Sequence, residues 1–399
     1  MQHTATGSSQ TADIGREAQV LVPNDVAAPL VSVVISTRNR ADLLPRALAS
    51  ITAQTLGDFE CIVVDDGSSE ETRKAYRGLV LELGPRFRLE TSFPAGSSGT
   101  GPASAKNRGL KTATGDYIAF LDDDDWWMAR DHLEVAIGAL RELQADYFFT
   151  NRQGMRGADV VIKDWYSDAP ELVSGRRVRT VLPIFEVSSR AFCAAMSRTR
   201  APHPGNLVTT RERALFTGGF LERLYWAEDY EYCIRLADGA SKILYRSDVT
   251  TAARMPEGDS VSLTESTLRH QLDTLTALQH LRASCARPEF RRCARAREAW
   301  TRREMANSGP SPSPSYGVSM AWQAFCVFPT FSSAAFLLRH KALRGRASSG
   351  GLGDLRRDNN RVWVRASANR RRCARALPRA PLRAARAANE SAPAGHRAR

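Results

Sequence analysis

Residues 120–127 read Phe-Leu-Asp-Asp-Asp-Asp-Trp-Trp, so four consecutive carboxylates end an apolar run. Neighbouring carboxylates repel one another and are stable only next to solvent, a cation or the free N–H groups of a helix terminus. In one interpretation, two of them hold one face of a Mg²⁺ or Mn²⁺ whose other ligands are water and a nucleotide diphosphate. In the other, Asp124 or Asp125 caps a helix that begins near Trp127, with the remaining acids in its first turn.

The chain before this acidic run alternates between predicted strands and helices. Apolar runs rich in β-branched residues predict buried strands at 31–35 and 59–64, and a further strand at 117–121 leads into the acids. The helices predicted between these strands cover residues 42–54, 70–83 and 103–113. This alternation predicts an α/β fold with a doubly wound, mostly parallel sheet, whose ligands bind beyond the carboxyl ends of the strands.

Polar residues follow each of the three predicted strands. Thr37 and Asn39 come after the first, Asp65 and Asp66 end the second, and the acidic run follows the third. Because the carboxyl ends of parallel strands meet at one edge of a sheet, we expect these residues to converge on one crevice.

The formal net charge of +13 is concentrated at one end of the 399 residues. Residues 339–399 contain 17 Lys and Arg against 3 Asp and Glu, a net charge of +14, so the rest of the chain sums to −1. This distribution argues against a nucleic-acid-binding core and favours a solvated or surface-attracted C-terminus.

Cysteine usage and the N-terminal sequence indicate the compartment. The seven cysteines include no Cys-x-x-Cys pair and are odd in number, which fits neither a zinc site nor a disulfide framework. A reducing cytosol is the simplest compartment for such a chain. Residues 1–19 are polar without an apolar core, so we expect neither a signal peptide nor an N-terminal anchor.

The C-terminal part of the chain contains two unusual segments. Residues 305–338 carry no charged side chain, but Ser, Thr and Gln interrupt them and Pro329 divides them, so we do not predict a membrane span. They either lie in a membrane interface or pack on the preceding domain. The Arg-rich residues from 344 onward cannot bury a core. They either contact anionic lipid, each charge contributing ~1 kcal/mol near the surface, or form a disordered end without a role.

Three smaller motifs each admit two interpretations. The turn at 65–68, Asp-Asp-Gly-Ser, offers carboxylates to a base N–H or a ribose hydroxyl, or is a capped turn. Lys106 and Arg108 follow a Gly-rich loop and either offset diphosphate charge or lie on a solvated helix face. Glu228 and Asp229 supply a general base, or are acids favoured in any first helical turn.

Taken in order, these motifs resemble the family 2 glycosyltransferases of the GT-A fold. The resemblance extends over residues 31–236 and rests on VSVVISTRNR at 31–40, VVDDGS at 63–68, AKNRG at 105–109, GDYIAFLDDDDW at 115–126, GGF at 218–220 and ED at 228–229. The absence of Gly-x-Gly-x-x-Gly after the first strand argues against a nicotinamide or flavin enzyme. The resemblance implies an inverting enzyme of a family whose members commonly use UDP-sugars.

The resemblance also implies a donor site. Thr37 and Asn39 would border the nucleotide, Asp66 together with Asp65 would hold the base or ribose, and Lys106 would lie near the ribose and phosphate. The family usually has Pro at the position of Ser36, so the chain departs from the pattern at this point.

The metal and catalytic residues are implied in the same way. Asp122 and Asp124 would be the two acids of the family's D-x-D motif and would hold Mn²⁺ or Mg²⁺, with Asp124 the direct ligand and Asp122 and Asp123 at the donor. Asp229 would be the general base, supported by Glu228. A histidine that many relatives carry after the strand at 242–246 is missing from residues 250–262, which leaves a third ligand open.

We therefore expect four regions: a flexible leader at 1–29, a GT-A domain at 30–263, a helical extension at 264–343 that is a candidate for membrane contact, and a basic disordered tail at 344–399. Residues 30–150 would form the nucleotide-binding half and 151–263 the acceptor half. In the acceptor half Arg198, Arg200 and His203 are unassigned candidate contacts.

The expected reaction is inverting transfer from a nucleotide-sugar to a hydroxyl of a glycan or lipid-linked acceptor. It would take place in the cytoplasm, including the inner face of the cell membrane. One alternative is a nucleotidyltransferase of similar fold, which would normally carry a Gly-rich phosphate loop that residues 36–40 lack. Another is an inactive membrane-associated binding module, against which the intact acidic motifs argue.

Overall fold

The structure is a computed structural model that describes residues 28–91, 93–178, 181–197, 202–255, 267–308 and 314–347. Most of the leader expected at 1–29, most of the tail expected at 344–399, and both Arg198 and Arg200 lie outside these residues.

Eleven strands form one sheet in the described parts of the chain. They are β1 Val31–Thr37, β2 Phe59–Asp65, β3 Phe87–Glu90, β4 Tyr117–Asp122, β5 Trp126–Trp127, β6 Tyr147–Arg156, β7 Asp159–Ile162, β8 Arg176–Arg177, β9 Ile184–Val187, β10 Leu207–Thr210 and β11 Ile243–Arg254.

The α-helices cover both faces of this sheet and continue beyond it. They are α1 Leu44–Thr52, α2 Glu70–Leu83, α3 Pro102–Thr112, α4 His132–Leu143, α5 Ser189–Met196, α6 Arg211–Phe216, α7 Glu228–Gly239, α8 Thr267–Ser284, α9 Pro288–Ser308, α10 Pro314–Val327 and α11 Phe331–Ala347. Short 3₁₀ helices lie at Pro170–Val173 and Pro204–Asn206.

The strand order is β3-β2-β1-β4-β10-β6-β11-β9-β8, with β5 paired to β11 and β7 to β6. The strands β3, β2, β1, β4, β6 and β11 all run in one direction, and β10 lies antiparallel between β4 and β6. This arrangement confirms the predicted α/β fold with a mostly parallel sheet. It also brings the start of β10 to the same edge as the carboxyl ends of β1 and β4.

Sequence features explain how the helices before the acidic run are positioned. Ser69 caps α2 by accepting the Thr72 N–H, which is why α2 begins where the pattern predicts. Gly109 lets α3 approach the sheet closely, because a Cβ at this position would collide with Val34 of β1. The close approach holds Lys106, on the same helix, against the edge where β4 ends.

The helix predicted to begin near Trp127 begins instead at His132. Residues 126 and 127 form β5, which pairs with β11. The Trp127 side chain is buried, and its Nε1–H donates to the Gly205 carbonyl. Burial of this ring and pairing of its backbone therefore delay the helix, and the acidic run forms a turn rather than a helix cap.

The helical extension packs against the sheet domain through α7. The Glu231 carboxylate, fully buried on α7, bonds Arg235 and lies 2.8 Å from His280 Nδ1 on α8. Asp238 at the other end of α7 accepts the backbone N–H groups of Ala286 and Arg287, just before α9. These buried polar contacts fix α8 and α9 beside the helix that carries Glu228 and Asp229.

The uncharged residues 305–338 are largely helical, in α10 and α11. Ala321, Ala324 and Leu337 are buried, whereas Trp322 and Leu338 are 51% and 66% exposed. Neither helix, nor any other in the described ranges, has the length and apolar character needed to cross a bilayer.

Candidate active site

A cavity of about 1220 Å³ opens at the carboxyl edge of the central strands. It brings together residues from β1, the loop after β2, α3, β4, the segment before the 3₁₀ helix at Pro204–Asn206 and the start of α7. The predicted site residues that line it are Thr37, Asn39, Asp66, Lys106, Asp122, Asp123, Asp124, Glu228 and Asp229. The expected convergence of these far-apart segments on one crevice is thus present in the structure.

Asp65 is the predicted donor residue that does not reach the cavity. Its side chain is fully buried, and its oxygens accept the Ser68 backbone N–H and the Arg73 guanidinium, at 3.0 and 2.8 Å. This carboxylate fixes the turn after β2 and has no access to a ligand. Successive residues at a strand end point to opposite sides, so Asp66 faces the cavity while Asp65 does not. Of the two predicted donor residues, only Asp66 is placed to contact a ligand.

Asp66 and Asn39 shape the loops at one end of the cavity. The Asp66 carboxylate accepts the backbone N–H groups of Thr100 and Gly101 and pairs with Arg108 at 2.9 Å. Asn39 has a left-handed backbone, with φ of 54°, and its side chain accepts the Ser69 N–H. Through these hydrogen bonds, Asp66 and Asn39 fix the loops that border this end of the cavity.

The four acids at the end of β4 divide into two pairs. Asp122 and Asp124 face the cavity, with side chains 26% and 22% exposed, whereas those of Asp123 and Asp125 are 5% and 8% exposed. Burial, opposed by Arg40, raises the pKa of Asp123 to about 7. This partly exposed pair consists of the two acids that the resemblance assigns to the D-x-D motif.

The buried acids are committed to structure. Asp123 accepts the Thr37 hydroxyl at 2.7 Å and an Arg40 N–H at 2.9 Å. Asp125 accepts an Arg152 N–H and the Arg254 backbone N–H, both at 2.9 Å. These bonds tie the acidic turn to β1, β6 and β11 and orient its exposed members.

Lys106 is buried at the centre of the site. Its Nζ lies 2.7 Å from Asp229 Oδ1, 3.3 Å from Asp122 Oδ1 and 3.7 Å from Glu228 Oε1. Burial alone would lower the pKa of Lys106, but attraction to Asp122 and Asp229 raises it well above its ordinary value. The residue is therefore a permanent cation among acids.

Glu228 and Asp229 are adjacent but have opposite pKa shifts. Burial and repulsion from Asp229 raise the pKa of Glu228 to about 8. Burial would also raise the pKa of Asp229, but Lys106 and His203 more than offset it and hold that pKa well below its usual range. Near neutral pH Asp229 is thus ionised and Glu228 protonated. Such a separation marks acid and base roles in active sites.

His203 completes the contacts of Asp229. Its Nε2 lies 3.0 Å from Asp229 Oδ2 and 3.3 Å from Asp122 Oδ2. Its Nδ1 accepts the Gly205 N–H at 3.1 Å, so the neutral ring carries its proton on Nε2 and donates it to a carboxylate. Sequence reasoning left His203 without a role. The missing signal was the antiparallel direction of β10, which brings the residues before that strand to the active edge.

Several of these side chains could hold a divalent cation. Possible ligand atoms of Asp122, Asp125 and His203 lie within 4.8 Å of one another. Each acid also has protein partners: both Asp125 oxygens accept N–H groups, and one Asp124 oxygen accepts an Arg40 N–H at 3.2 Å. Asp122 and Asp124 are the two acids with the more exposed side chains. Burial and repulsion from Asp122 raise the pKa of Asp124, which a hard cation between them would relieve.

Comparisons with known proteins match parts of this chain to glycosyltransferases. The family model described as Glycosyl transferase family 2 matches residues 32–192. A PGL/p-HBAD biosynthesis glycosyltransferase of Mycobacterium tuberculosis is 40% identical over 100 residues, 25% of this chain and 37% of the relative. The Escherichia coli enzyme UDP-Glc:alpha-D-GlcNAc-diphosphoundecaprenol beta-1,3-glucosyltransferase WfgD is 33% identical over 135 residues, 34% of this chain and 50% of the relative. The matches thus span half or less of these curated relatives.

Solved structures show the same fold at low sequence identity. The crystal structure of S. aureus TarS 1–349 in complex with UDP-GlcNAc superposes with a TM-score of 0.58 at 18% identity. It covers 79% of this chain and 88% of that one. This likeness shows the GT-A fold, and the family match identifies residues 32–192 as a family 2 glycosyltransferase domain.

Proposed function

We propose that the chain transfers a sugar, with inversion, from a nucleotide-sugar to a hydroxyl of a glycan or lipid-linked acceptor. The observation that carries this proposal is the placement of one ionised carboxylate, Asp229, in the same cleft as the exposed pair Asp122 and Asp124. The first is suited to accept a proton, and the pair to lie beside the leaving diphosphate.

The diphosphate would lie next to Lys106. This cation is held among carboxylates and can turn to phosphate oxygens without leaving the buried site. Asp122 and Asp124 would hold Mn²⁺ or Mg²⁺, which when bound supplies Lewis-acid stabilisation of the leaving group. Thr37, Asn39 and Asp66 would border the nucleoside, with Asp65 and Asp123 fixing the loops behind them.

Asp229 would be the general base, and its present contacts support the following order of events. Lys106 occupies one oxygen and His203 the other. Donor phosphates that compete for Lys106 would free one oxygen to accept the acceptor proton. Glu228, protonated near neutral pH, can donate a hydrogen bond rather than add a competing charge. The freed oxygen would then take the proton as the hydroxyl attacks the anomeric carbon.

The names of two curated relatives support a substrate class. The E. coli relative is named for transfer from UDP-Glc to a diphosphoundecaprenol-linked sugar. A Campylobacter jejuni relative, 38% identical over 116 residues, is likewise named for an undecaprenol-linked acceptor. We propose a UDP-sugar donor and a lipid-diphosphate-linked glycan acceptor. Such an acceptor would bring the protein to the inner face of the membrane, where Trp322 and Leu338 offer exposed apolar surface.

The test is product analysis with the full chain. Purified protein is incubated with Mn²⁺ and a panel of nucleotide-sugars, with and without a lipid-linked acceptor. Release of the nucleoside diphosphate is expected. The transferred sugar in the product should have the anomeric configuration opposite to that in the donor. Release of pyrophosphate would instead identify a nucleotidyltransferase. Failure of every nucleotide-sugar to bind by calorimetry would point to an inactive binding module.

A further inference from the structure

We infer that Trp226 is the floor of an acceptor subsite, where its indole stacks on the pyranose ring that carries the attacking hydroxyl. The inference rests on the proposed transferase function and deepens it. It assigns a sugar ligand to the part of the cleft that Trp226, Thr274 and Arg297 line, all of which lie outside the family-matched residues 32–192.

The position of Trp226 fits the acceptor rather than the nucleoside. Trp226 lines the cleft three residues before Asp229, at the start of α7. The nucleoside-binding candidates Asn39 and Asp66 belong to the loops after β1 and β2. A ring stacked on Trp226 would therefore present its hydroxyl towards the base, and the donor would enter from the other strand ends.

Helix α8 fixes this indole from behind. The Trp226 ring stacks on the His270 ring, with centroids 4.2 Å apart and planes 23° from parallel. The Asp273 carboxylate accepts the backbone N–H groups of Tyr225 and Trp226, at 3.2 and 3.1 Å. A ring held by both a stacking partner and its own backbone loses little conformational freedom when a ligand binds, which favours affinity.

The chemistry of the surroundings fits a sugar. A pyranose has an apolar face of C–H groups, which an indole plane can cover, and equatorial hydroxyls at its edge. Thr274 of α8 and Arg297 of α9 also line this cleft and bring polar groups to it. A large apolar surface with a few polar groups at its margin is the usual composition of a small-molecule site. The subsite would thus take a hexopyranose of the glycan acceptor.

The test uses the full chain with UDP and Mn²⁺, and the probes are methyl hexopyranosides observed by saturation-transfer NMR. Steady-state transfer to a lipid-linked acceptor and donor hydrolysis without acceptor are measured in parallel. Trp226→Ala is expected to weaken glycoside binding and raise the acceptor KM by roughly fivefold to tenfold, the size of one aromatic contact. Trp226→Phe should recover most of this loss. The donor KM and the hydrolysis rate should stay unchanged.

Two controls separate stacking from general damage. Phe216→Ala removes an exposed aromatic ring on α6, which does not line the cleft, and should change neither constant. Asp273→Asn keeps an oxygen that can accept both backbone N–H groups, so it should retain more acceptor affinity than Asp273→Ala. An unchanged acceptor KM in Trp226→Ala, or a raised donor KM instead, would overturn the subsite. A wild-type chain that turned over no donor would overturn the proposed function, and the subsite with it.

Discussion

Lys106 Nζ lies 2.7 Å from Asp229 Oδ1, and this ion pair joins α3 to α7. The second oxygen of Asp229 lies 3.0 Å from His203 Nε2. Without substrate, both oxygens of the proposed base are therefore engaged. In the proposed mechanism this pair would link donor binding to activation of the base, because the ammonium that turns to the donor phosphates releases an oxygen of Asp229.

Substitution of Lys106 should change both donor use and pH dependence. Lys106→Met removes the cation that offsets diphosphate charge, and we expect kcat/KM for the donor to fall by about 100-fold, within the range for one electrostatic contact to a leaving group. Removing the cation also raises the pKa of Asp229, so the acid limb of the pH–rate profile should move to higher pH. Lys111→Met on the same helix is the control. An unmoved acid limb would contradict the pairing.

His203 should position the base without binding the metal. Its Nδ1 accepts the Gly205 N–H, so Nε2 carries the proton. His203→Ala is expected to lower kcat by roughly tenfold or more, as for a lost charge-assisted hydrogen bond, with Mn²⁺ affinity, measured by electron paramagnetic resonance, nearly unchanged. His203→Gln, which can donate through its amide, should recover part of kcat. A large loss of Mn²⁺ affinity in either variant would instead make His203 a ligand.

Substitutions in the partly exposed pair, Asp122 and Asp124, should affect Mn²⁺ binding, whereas substitutions in the buried pair, Asp123 and Asp125, should affect stability. Asp124→Asn should weaken Mn²⁺ binding while leaving the thermal midpoint near the wild-type value, because this side chain faces the cavity. Asp125→Ala should leave Arg152 buried without its partner and cost about 3 kcal/mol in the free energy of unfolding. Calorimetry for Mn²⁺ and denaturant unfolding measure the two effects. A destabilised Asp124→Asn with normal Mn²⁺ affinity would reverse the assignment.

The sequence predicted those features of the site that nearby residues determine, and missed those that depend on distant contacts. The strands ending at Thr37, Asp65 and Asp122 follow from apolar runs, and α2 from its Ser69 cap. The edge on which they converge follows from the parallel direction of the strands. The late start of the helix after the acidic run depends on the pairing of residues 126 and 127 with β11, which no nearby residue signals.

The role of His203 could not be predicted for a similar reason. It depends on the insertion of β10 between β4 and β6 in the opposite direction, a property of the whole sheet. The division of four identical side chains into exposed and buried pairs likewise depends on distant partners, Arg40 and Arg152. A run of aspartates identifies the site, but only tertiary contacts show which members can bind a ligand.

Stability should fall in acid through His132, away from the active site. Burial, together with Arg246, lowers its pKa to about 3, and its Nε2 finds no hydrogen-bond partner in the described structure. The unfolded chain therefore binds the proton more tightly than the folded one. The contribution is complete above the ordinary pKa of about 6.5 and declines as the pH falls towards 3, by about 2 kcal/mol between pH 7 and pH 5.

His132→Phe is the matched variant for this effect. It keeps an aromatic ring that can stack on Trp127, at the cost of the contact with Thr250, and cannot take up a proton. Denaturant unfolding at pH 7 and pH 5 should show a smaller loss of stability in the variant than in the wild type. Equal losses in the two proteins would exclude His132 as the source.

The central claim is that Asp229 takes the proton of the acceptor hydroxyl in the cleft that holds the nucleotide-sugar. The most direct test is single-turnover transfer by Asp229→Asn, in the full chain with Mn²⁺ and saturating UDP-sugar. Binding of the donor is followed in the same samples by calorimetry. We expect the transfer rate to fall by about 10²- to 10⁴-fold, the range for loss of a general base, while the donor still binds. Transfer at the wild-type rate would contradict the account.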